Sequence, residues 1–255
     1  MASYDILGNI AIVKFPRNTN KKEKLATANK LLKINKSLTT VLEKTQKFKG
    51  RLRTLKTNYI AGIKTKEALY KENSCVFRFN VETCYFSPRL AGERIELANQ
   101  IKKNESVLVL FGGVAPFAIV IAKLKNPKKV VSIELGKSCN KYALENVKRN
   151  KVQVKIMQGD VKRVLPRLRE KFSRIIMARP NLKDTFLKES LLAAKKGTII
   201  HYYGFCQESD LEKLKEQVEN ECEKAKRKIK ILKIKKAGDI APYKYRYRID
   251  FKVLN

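Results

Sequence analysis

The 255-residue sequence predicts an α/β protein in which an open, mostly parallel sheet follows a smaller α+β unit. From residue 90 onwards, apolar runs of strand length alternate with amphipathic stretches of helix length. This alternation is typical of a parallel sheet covered by helices on both faces. In the middle of that region the apolar run 107–111 leads into Gly112 and Gly113, and an apolar helix follows. Such an order predicts a buried strand, a tight turn and a helix start that faces a ligand.

The first predicted domain covers residues 1–85. Residues 4–15 alternate apolar and polar side chains on either side of Gly8 and Asn9, which predicts a hairpin. Residues 21–34 carry an apolar stripe at helical spacing. Three further stretches have the composition of strands, namely 39–42, 52–59 and 74–80.

The second predicted domain covers residues 86–255. Its predicted strands are 107–111, 130–134, 154–158, 174–178, 197–203, 229–235 and 245–253. Its predicted helices are 90–101, 116–125, 138–149, 161–169, 185–194 and 209–225. No helical stretch separates the last two strands, so we expect them to form an antiparallel hairpin at the edge of the sheet.

The charge of the chain indicates its class of partner. Lys and Arg total 57 against 24 acids, which gives a formal net charge of +33. A polyanion is the simplest partner for such a surface, and nucleic acid is the commonest polyanion. Adaptation to heat would also enrich lysine, but it predicts many glutamates as well. Because acids are scarce here, the sequence favours a nucleic-acid partner.

Cysteine and hydropathy patterns restrict the cellular setting. No pair of the five cysteines has C-x-x-C spacing and His201 is the single histidine, so we expect no metal. The odd count and the lack of a secretory signal favour reduced thiols. No apolar run approaches the ~20 residues of a membrane helix. We therefore expect a cytoplasmic protein, a monomer, that does not enter a membrane.

The glycine turn restricts the class of cofactor. It lacks the third glycine of a dinucleotide fingerprint, and no Gly-Lys-Ser/Thr follows as in a P-loop. Glu134 ends the next strand about twenty residues later, where a carboxylate can bind a ribose. Asp160 follows the third strand and could accept from an adenine amino group. Together these positions favour S-adenosylmethionine, although each acid alone could be a solvated strand end.

Several motifs resemble the tRNA guanine-37 N1-methyltransferase family of archaea and eukaryotes. The first is Tyr-Phe-Ser-Pro-Arg-Leu-Ala-Gly-Glu-Arg at 85–94, and the second is Phe-Gly-Gly-Val-Ala-Pro-Phe at 111–117. Residues 200–203 (Ile-His-Tyr-Tyr) and 241–253 are similar to later blocks of the family. The resemblance extends over nearly the whole sequence. It implies a Rossmann-like class I methyltransferase domain, with an N-terminal domain that recognises the anticodon arm of tRNA.

The resemblance also implies which residues form the site. The implied cofactor-binding residues are Phe111, Gly112, Gly113, Val114, Ala115, Pro116, Phe117, Glu134 and Asp160. The implied substrate-binding residues are Tyr85, Arg89, Arg94, Ala178, Pro180 and Asn181, of which Arg89 would meet a phosphate.

Two residues receive catalytic roles from the resemblance. Guanine N1 carries a proton that a carboxylate must remove, and negative charge then develops at O6. The resemblance assigns the base to Glu93 and the O6 partner to Arg53. On helical spacing alone, Glu93 could instead pair with Arg89 or Arg94, and Arg53 could be a surface cation.

The sequence departs from the family pattern at three places. Ala115 replaces the last glycine of the turn, which we expect to narrow the space for the methionine moiety. The strand before the turn ends without its usual acid. Ala178 stands where the family has an asparagine that helps to hold the target base, and Asn181 could supply that amide from a shifted loop.

These departures leave three functions open. The first is methylation of guanosine 37 at N1, with or without a second methylation at C7 of 4-demethylwyosine, which gives isowyosine. The second is a non-catalytic RNA-binding protein on a degenerate methyltransferase fold. The third is an enzyme that acts on another RNA base or on protein.

Overall fold

The computed structural model describes residues 2–46 and 50–255. Its strands are β1 (Ser3–Leu7), β2 (Ile10–Lys14), β3 (Thr40–Lys44), β4 (Thr57–Gly62), β5 (Glu67–Glu72), β6 (Cys75–Asn80), β7 (Ser106–Leu110), β8 (Lys129–Glu134), β9 (Lys155–Gln158), β10 (Phe172–Met177), β11 (Ala194–Gln207), β12 (Ile229–Ala241) and β13 (Lys244–Val253). Its α-helices are α1 (Lys21–Ile34), α2 (Ala91–Gln100), α3 (Pro116–Lys125), α4 (Lys137–Asn150), α5 (Val161–Val164), α6 (Leu187–Leu192) and α7 (Leu211–Lys224).

A seven-stranded sheet organises the larger part of the fold, in the order β12-β13-β11-β10-β7-β8-β9. The five strands from β11 to β9 are parallel, whereas β13 runs antiparallel to both β11 and β12. One apolar core packs α2, α3 and α4 against the sheet, and a second packs α6 and α7 against its other face. The predicted α/β class and the antiparallel closing hairpin are therefore confirmed.

The N-terminal region forms its own sheet, in the order β1-β2-β3-β4. Helix α1 connects the parallel strands β2 and β3, as a crossover between parallel neighbours requires. Asn20 caps α1 by accepting from the Glu23 N–H, while the Glu23 carboxylate accepts from the Asn20 N–H. A small apolar core under this sheet includes Val13, Ala28 and Val41.

The β5–β6 hairpin connects the two regions. Two side-chain amides of α4 pair with the backbone of β6. Asn146 accepts from the Arg78 N–H and donates to the Arg78 carbonyl oxygen, and Asn150 does the same with Val76. Both amide groups are buried, so these pairs replace the hydration that the strand edge would otherwise need. The hairpin thereby holds the linker, residues 81–90 between β6 and α2, beside the carboxyl ends of the parallel strands.

Three local predictions differ from the structure. The stretch 52–59 is not one strand, because residues 50–53 form a turn and β4 begins at residue 57. Strand β5 was not predicted, since its charged residues interrupt the alternation of apolar and polar side chains that indicates a strand. The expectation of reduced thiols is wrong for one pair, because Cys84 and Cys139 form a disulfide with Cα atoms 5.4 Å apart. This bond joins the linker to the first turn of α4.

The described part of the chain lacks both a membrane-spanning helix and a metal-binding cluster. None of the described helices combines the length and the apolar character needed to cross a membrane. Within residues 2–46 and 50–255, no group of three or more His, Cys, Asp or Glu side chains is arranged to hold a metal ion.

Candidate active site

A cleft opens at the carboxyl ends of β7, β8, β10 and β11, where open α/β sheets bind ligands. Its empty volume is about 940 Å³, including space open to solvent. The turn formed by residues 51–53 covers one side of the cleft. The cleft is therefore built from both predicted domains.

The glycine turn lies at the floor of the cleft. An added Cβ at Gly112 would lie 2.1 Å from the Ser132 hydroxyl oxygen, so the close approach of β8 requires glycine there. Gly113 has φ +56°, lines the cleft, and donates its N–H to a Glu134 carboxylate oxygen at 2.9 Å. Phe111 and Phe117 also line the cleft. The turn thus presents backbone and two aromatic rings to a ligand.

The expectation for Ala115 needs correction. Ala115 has φ +64°, a left-handed conformation that favours glycine and costs an alanine roughly 1 kcal/mol. Its methyl group packs in the apolar core and does not line the cleft, so it does not narrow the ligand space. Val114 and Pro116 also lie outside the lining. Within the segment 111–117, only the two rings and Gly113 border the cleft.

Glu134 is the buried acid of the cleft. One of its oxygens accepts from the Gly113 N–H at 2.9 Å and the other from the Gly136 N–H at 2.7 Å. Burial raises the pKa of this carboxyl above its usual value, although both backbone donors oppose the rise. A carboxylate has about four acceptor positions, so each oxygen can still accept a ribose hydroxyl.

Asp160 connects the cofactor side of the cleft to the N-terminal region. One oxygen caps α5 by accepting from the Lys162 N–H at 3.0 Å, and the other pairs with Arg51 at 3.0 Å. Burial opposes ionisation of Asp160, but these contacts outweigh it and lower its pKa. Both predicted acids therefore lie at the cleft. Glycine backbone, buried Glu134 and Asp160 fit the adenosine part of S-adenosylmethionine.

Arg53 and Tyr85 lie together on the substrate side of the cleft. The Arg53 guanidinium carbon is 4.0 Å from the centre of the Tyr85 ring. Tyr85 also interacts electrostatically with Arg246, a cleft residue that we did not predict. Ala178 and Pro180 border the same space. The structure therefore brings together these four predicted residues from distant parts of the chain.

Glu93 lies behind the cleft and does not line it. It is 6% exposed, and it accepts from the Tyr203 hydroxyl at 3.0 Å, Arg248 at 2.6 Å and Lys235 at 2.6 Å. Tyr203, in contrast, borders the cleft. The predicted pairing of Glu93 with Arg89 or Arg94 is not observed, because its cations come from β12 and β13.

Arg248 is the centre of this buried group. It is 0% exposed and pairs with three acids, Glu93, Glu96 and Asp250. We name the set the Arg248 cluster, and its members are Glu93, Glu96, Tyr203, Lys235, Arg248 and Asp250. Burial raises the pKa of Glu96, but Lys235 and Arg248 outweigh that effect and lower it to about 2.

Asp250 extends the cluster to a buried histidine. The Arg174 guanidinium donates to His201 Nε2 at 2.9 Å, so His201 Nδ1 carries the proton and donates to Asp250 at 2.7 Å. Burial lowers the pKa of His201, and Asp250 opposes that shift only in part. Arg174 pairs in turn with Glu105 at 2.7 Å. A continuous series of paired side chains thus supports Glu93 on the side away from the cleft, and it runs through Glu105, Arg174, His201, Asp250 and Arg248.

Three predicted substrate-binding residues lie outside the cleft. Arg94 is 1% exposed and forms a buried pair with Glu72, so it is a core residue. Asn181 is exposed and does not line the cleft, which means that its amide does not replace the one missing at Ala178. Arg89 is exposed on the surface, 3.6 Å from Asp5, where a phosphate contact stays a prediction.

Arg179 shapes the loop that carries Ala178 and Pro180. It donates to the carbonyl oxygens of Leu182 at 2.6 Å, Asp184 at 2.7 Å and Tyr203 at 3.3 Å. Its guanidinium carbon is also 5.3 Å from the Tyr202 ring centre. The loop after β10 is therefore closed on itself and held against β11.

Sequence reasoning missed Arg246, Arg248 and Tyr203. A signal for two of them was present, because β13 reads Lys-Tyr-Arg-Tyr-Arg-Ile-Asp-Phe with charged residues at every second position. Since alternate strand residues share a face, Arg246, Arg248 and Asp250 lie on one side of the sheet. Charged residues on a covered face indicate a polar site there.

Comparison with known proteins identifies the family. The family model described as the TRM5/TYW2 methyltransferase domain matches residues 68–232, which is more than half of the chain. The chain belongs to the TRM5/TYW2 methyltransferase family. The suspected family is thereby confirmed.

Individual relatives agree with this assignment. The tRNA (guanine(37)-N(1))-methyltransferase Trm5b of Pyrococcus abyssi is 33% identical over 98% of this chain and 74% of its own length. Its crystal structure matches with a TM-score of 0.88 over 99% of this chain and 75% of that one. The tRNA (guanine(37)-N(1))/4-demethylwyosine(37)-methyltransferase Taw22 of Nanoarchaeum equitans is 34% identical over 99% of this chain and 100% of its own length.

A solved complex also matches. The structure titled as the complex of aTrm5 and tRNALeu is 27% identical, with a TM-score of 0.86 over 99% of this chain and 72% of that one. These similarities place the seven-stranded sheet and its cleft among methyltransferases of this type. The match to the N-terminal region is included, because the coverage of this chain is nearly complete.

Proposed function

We propose that the protein transfers a methyl group from S-adenosylmethionine to N1 of guanosine 37 in tRNA. The observation that carries the proposal is the cleft, in which an adenosine-binding half with Glu134 faces a cationic half with Arg53. Relatives that are 33% and 34% identical over nearly the whole chain are named for this reaction. The alternative of a non-catalytic RNA-binding protein finds no support, because both halves of the cleft are formed.

The chemistry divides between the two halves. S-adenosylmethionine, when bound, supplies an electrophilic methyl group. We propose that Glu93 receives the proton of N1 through the Tyr203 hydroxyl, since Tyr203 borders the cleft and donates to Glu93. Arg53, stacked on Tyr85, then stabilises the negative charge that develops at O6.

A second reaction is favoured by one observation. The relative that matches over its full length, 34% identical, is named for both guanosine 37 and 4-demethylwyosine 37. The cleft of this chain also lacks the amide that the family places at Ala178. We therefore propose methylation of C7 of 4-demethylwyosine as a second activity, in which the proton on C7 leaves after the carbon attacks.

The partner is the anticodon arm of tRNA. A net charge of +33 supports a strong phosphate-binding contribution. We propose that residues 1–85 contribute most of this contact, that residues 86–255 bind the cofactor, and that the protein acts as a cytoplasmic monomer. Sedimentation of the protein with and without tRNA would test the monomer, because a second copy would double the mass of the free protein and add the mass of one chain to the complex.

Transfer of labelled methyl groups tests the function directly. A tRNA transcript with G37 should accept label, and the same transcript with A37 should not. Nucleoside mass analysis after incubation with 4-demethylwyosine-containing tRNA tests the second reaction. Equal incorporation into the A37 transcript would contradict the assignment to position 37.

A further inference from the structure

Arg246 is a buried cation whose partner in the cleft is not an acid. It is 8% exposed and lines the cleft, yet it forms no ion pair with any acid in residues 2–46 and 50–255. Arg248, two positions later on the same strand, pairs with three acids. Burying a guanidinium without a counter-charge is unfavourable. We therefore expect such a group where a bound ligand supplies the missing hydrogen-bond acceptors or negative charge.

The surroundings of Arg246 hold its guanidinium in place. Its carbon Cζ is 5.4 Å from the centre of the Phe205 ring, and the Tyr85 side chain interacts with the guanidinium electrostatically. Arg53 covers the Tyr85 ring at 4.0 Å. Burial lowers the pKa of Arg246, which the Tyr85 contact opposes. Two arginines thus interact with one tyrosine at the substrate side of the cleft.

Apart from Arg53, to which we assign the charge at O6, the candidate amide and guanidinium donors of the loop after β10 are absent from the cleft or committed elsewhere. Ala178 has no amide, and Asn181 is exposed outside the lining. The terminal nitrogens of Arg179 donate to the carbonyl oxygens of its own loop and of Tyr203. Arg246 can therefore take over the role of holding the base beside Arg53.

We propose that Arg246 binds the acceptor edge, O6 and N7, of the purine at position 37 and replaces the missing amide. This proposal rests on the proposed function. The planar guanidinium fork matches these two acceptors, and the pairing is the commonest specific contact of arginine with guanine. A base drawn out of the anticodon loop would expose this edge to the cleft.

The same contact explains how one cleft could serve two substrates. In 4-demethylwyosine the third ring closes across the N1 and N2 side of the purine, so an amide aimed at that side loses its partner. The O6 and N7 side remains an acceptor edge in both bases. Arg246 would also strengthen as a donor when negative charge develops at O6 during methylation of N1.

Kinetics with a modified base test this contact. The variants are Arg246→Gln and Arg246→Lys, and the control is Lys252→Gln, which removes an exposed charge from the same strand. Each is assayed on tRNA transcripts that carry either guanosine or 7-deazaguanosine at position 37. Affinity for S-adenosylmethionine is measured by calorimetry, and thermal melting checks the fold.

The effects of the Arg246→Gln substitution and of 7-deazaguanosine on kcat/KM should not be additive, because both remove the same contact. We expect Arg246→Gln to lower kcat/KM on G37 by roughly 10–100-fold, as the loss of a bidentate base contact would. In the wild type, 7-deazaguanosine should lower kcat/KM by about tenfold, and in Arg246→Gln it should cause no further loss. Arg246→Lys should recover only part of the rate, because lysine lacks the fork. Lys252→Gln and the cofactor affinity should be unchanged.

Three results would overturn the proposal. A tenfold loss of cofactor affinity in Arg246→Gln would assign the guanidinium to the methionine carboxylate of the donor. A salt slope of tRNA binding reduced by about one, with fully additive base effects, would assign it to a phosphate. An unchanged kcat/KM in Arg246→Gln would show that Arg246 does not contact the base. Failure of the proposed function is a different result, since the wild type itself would then not methylate the G37 transcript.

Discussion

Arg246 and Arg248 lie on one face of one strand, and the fold treats them in opposite ways. Arg248 is fully buried and is paired with Glu93, Glu96 and Asp250. Arg246 lies at the cleft among aromatic rings and has no acidic partner among the described residues. The first arrangement is complete without a ligand, whereas the second needs one.

This difference teaches which charges maintain the fold and which serve the substrate. Breaking a buried ion pair leaves an uncompensated charge and destabilises the protein, whereas removing an unpartnered cation relieves such a charge. Stability and activity should therefore respond separately to changes in the Arg248 cluster and in the cleft. Four measurements test that separation, and the largest expected effect comes first.

The largest effect is expected at Glu93. Glu93→Gln keeps the shape of the side chain but removes the proton acceptor, so kcat should fall by roughly 10²–10⁴-fold. The matched control is Glu96→Gln, because Glu96 lies on the same helix and pairs with the same two cations. Single-turnover rates on G37 tRNA check the prediction. A rate loss as large in the control would show that the cluster acts only through its charge.

The second effect concerns stability. Arg248→Met removes the cation that buried Glu93 and Asp250 share with half-buried Glu96, and we expect unfolding to become easier by about 3–5 kcal/mol. Arg246→Met should leave the free energy of unfolding nearly unchanged or raise it, because it removes an uncompensated charge. Urea unfolding of both variants measures the difference. Equal destabilisation would contradict the distinction between the two arginines.

The third effect separates two neighbouring tyrosines. Tyr203 donates to Glu93 at 3.0 Å, whereas Tyr202 lies on the opposite face of β11. Tyr203→Phe removes one hydrogen bond to a charged group, which should lower kcat by roughly 10–100-fold. Tyr202→Phe should have little effect on kcat. If Tyr203→Phe retains the full rate and the same pH profile, the proton does not pass through this hydroxyl.

The smallest effect is a pH dependence of stability. Burial lowers the pKa of His201, so the folded state keeps it neutral while the unfolded chain binds a proton below about pH 6.5. Its contribution is therefore fully present above that pH and is lost as the pH falls. Glu96, with a pKa lowered to about 2, adds a second loss from about pH 4.5 downwards.

Melting temperatures between pH 8 and pH 3 measure these two losses. The variant His201→Gln should flatten the first decline and keep the second. A melting temperature that stays constant between pH 7 and pH 5 in the wild type would show that His201 does not titrate on unfolding.

The sequence predicted much of the sheet, because parallel strands buried on both faces are short apolar runs between amphipathic helices. It failed where local pattern is weak. Strand β5 carries charged residues that serve α4 and β6 contacts, such as Glu67 with Tyr142. The disulfide between Cys84 and Cys139 was also beyond sequence reasoning, since its spacing carries no signal. Both features depend on contacts between residues far apart in the chain.

The site was predicted unevenly for the same reason. Gly113, Glu134 and Asp160 could be predicted to lie at the cleft because the order of strand, turn and acid is a local property. Arg94 was placed wrongly, since its buried partner Glu72 comes from a hairpin outside the motif. Arg246 was missed because it stands out only by having no acidic partner among the described residues, and this can be seen only in the tertiary structure.

By itself, the sequence determined the periodicities of the strands and helices, the excess of positive charge, the glycine turn and the acid that ends the next strand. Tertiary structure decided which cations pair inside the protein and which remain for a ligand. The physical reason is that a buried charge is stabilised only by groups within a few ångströms. On β13 the sequence alternation is the same for Arg246 and Arg248, but only Arg248 receives acids, two from the packing of α2 and one, Asp250, from its own strand.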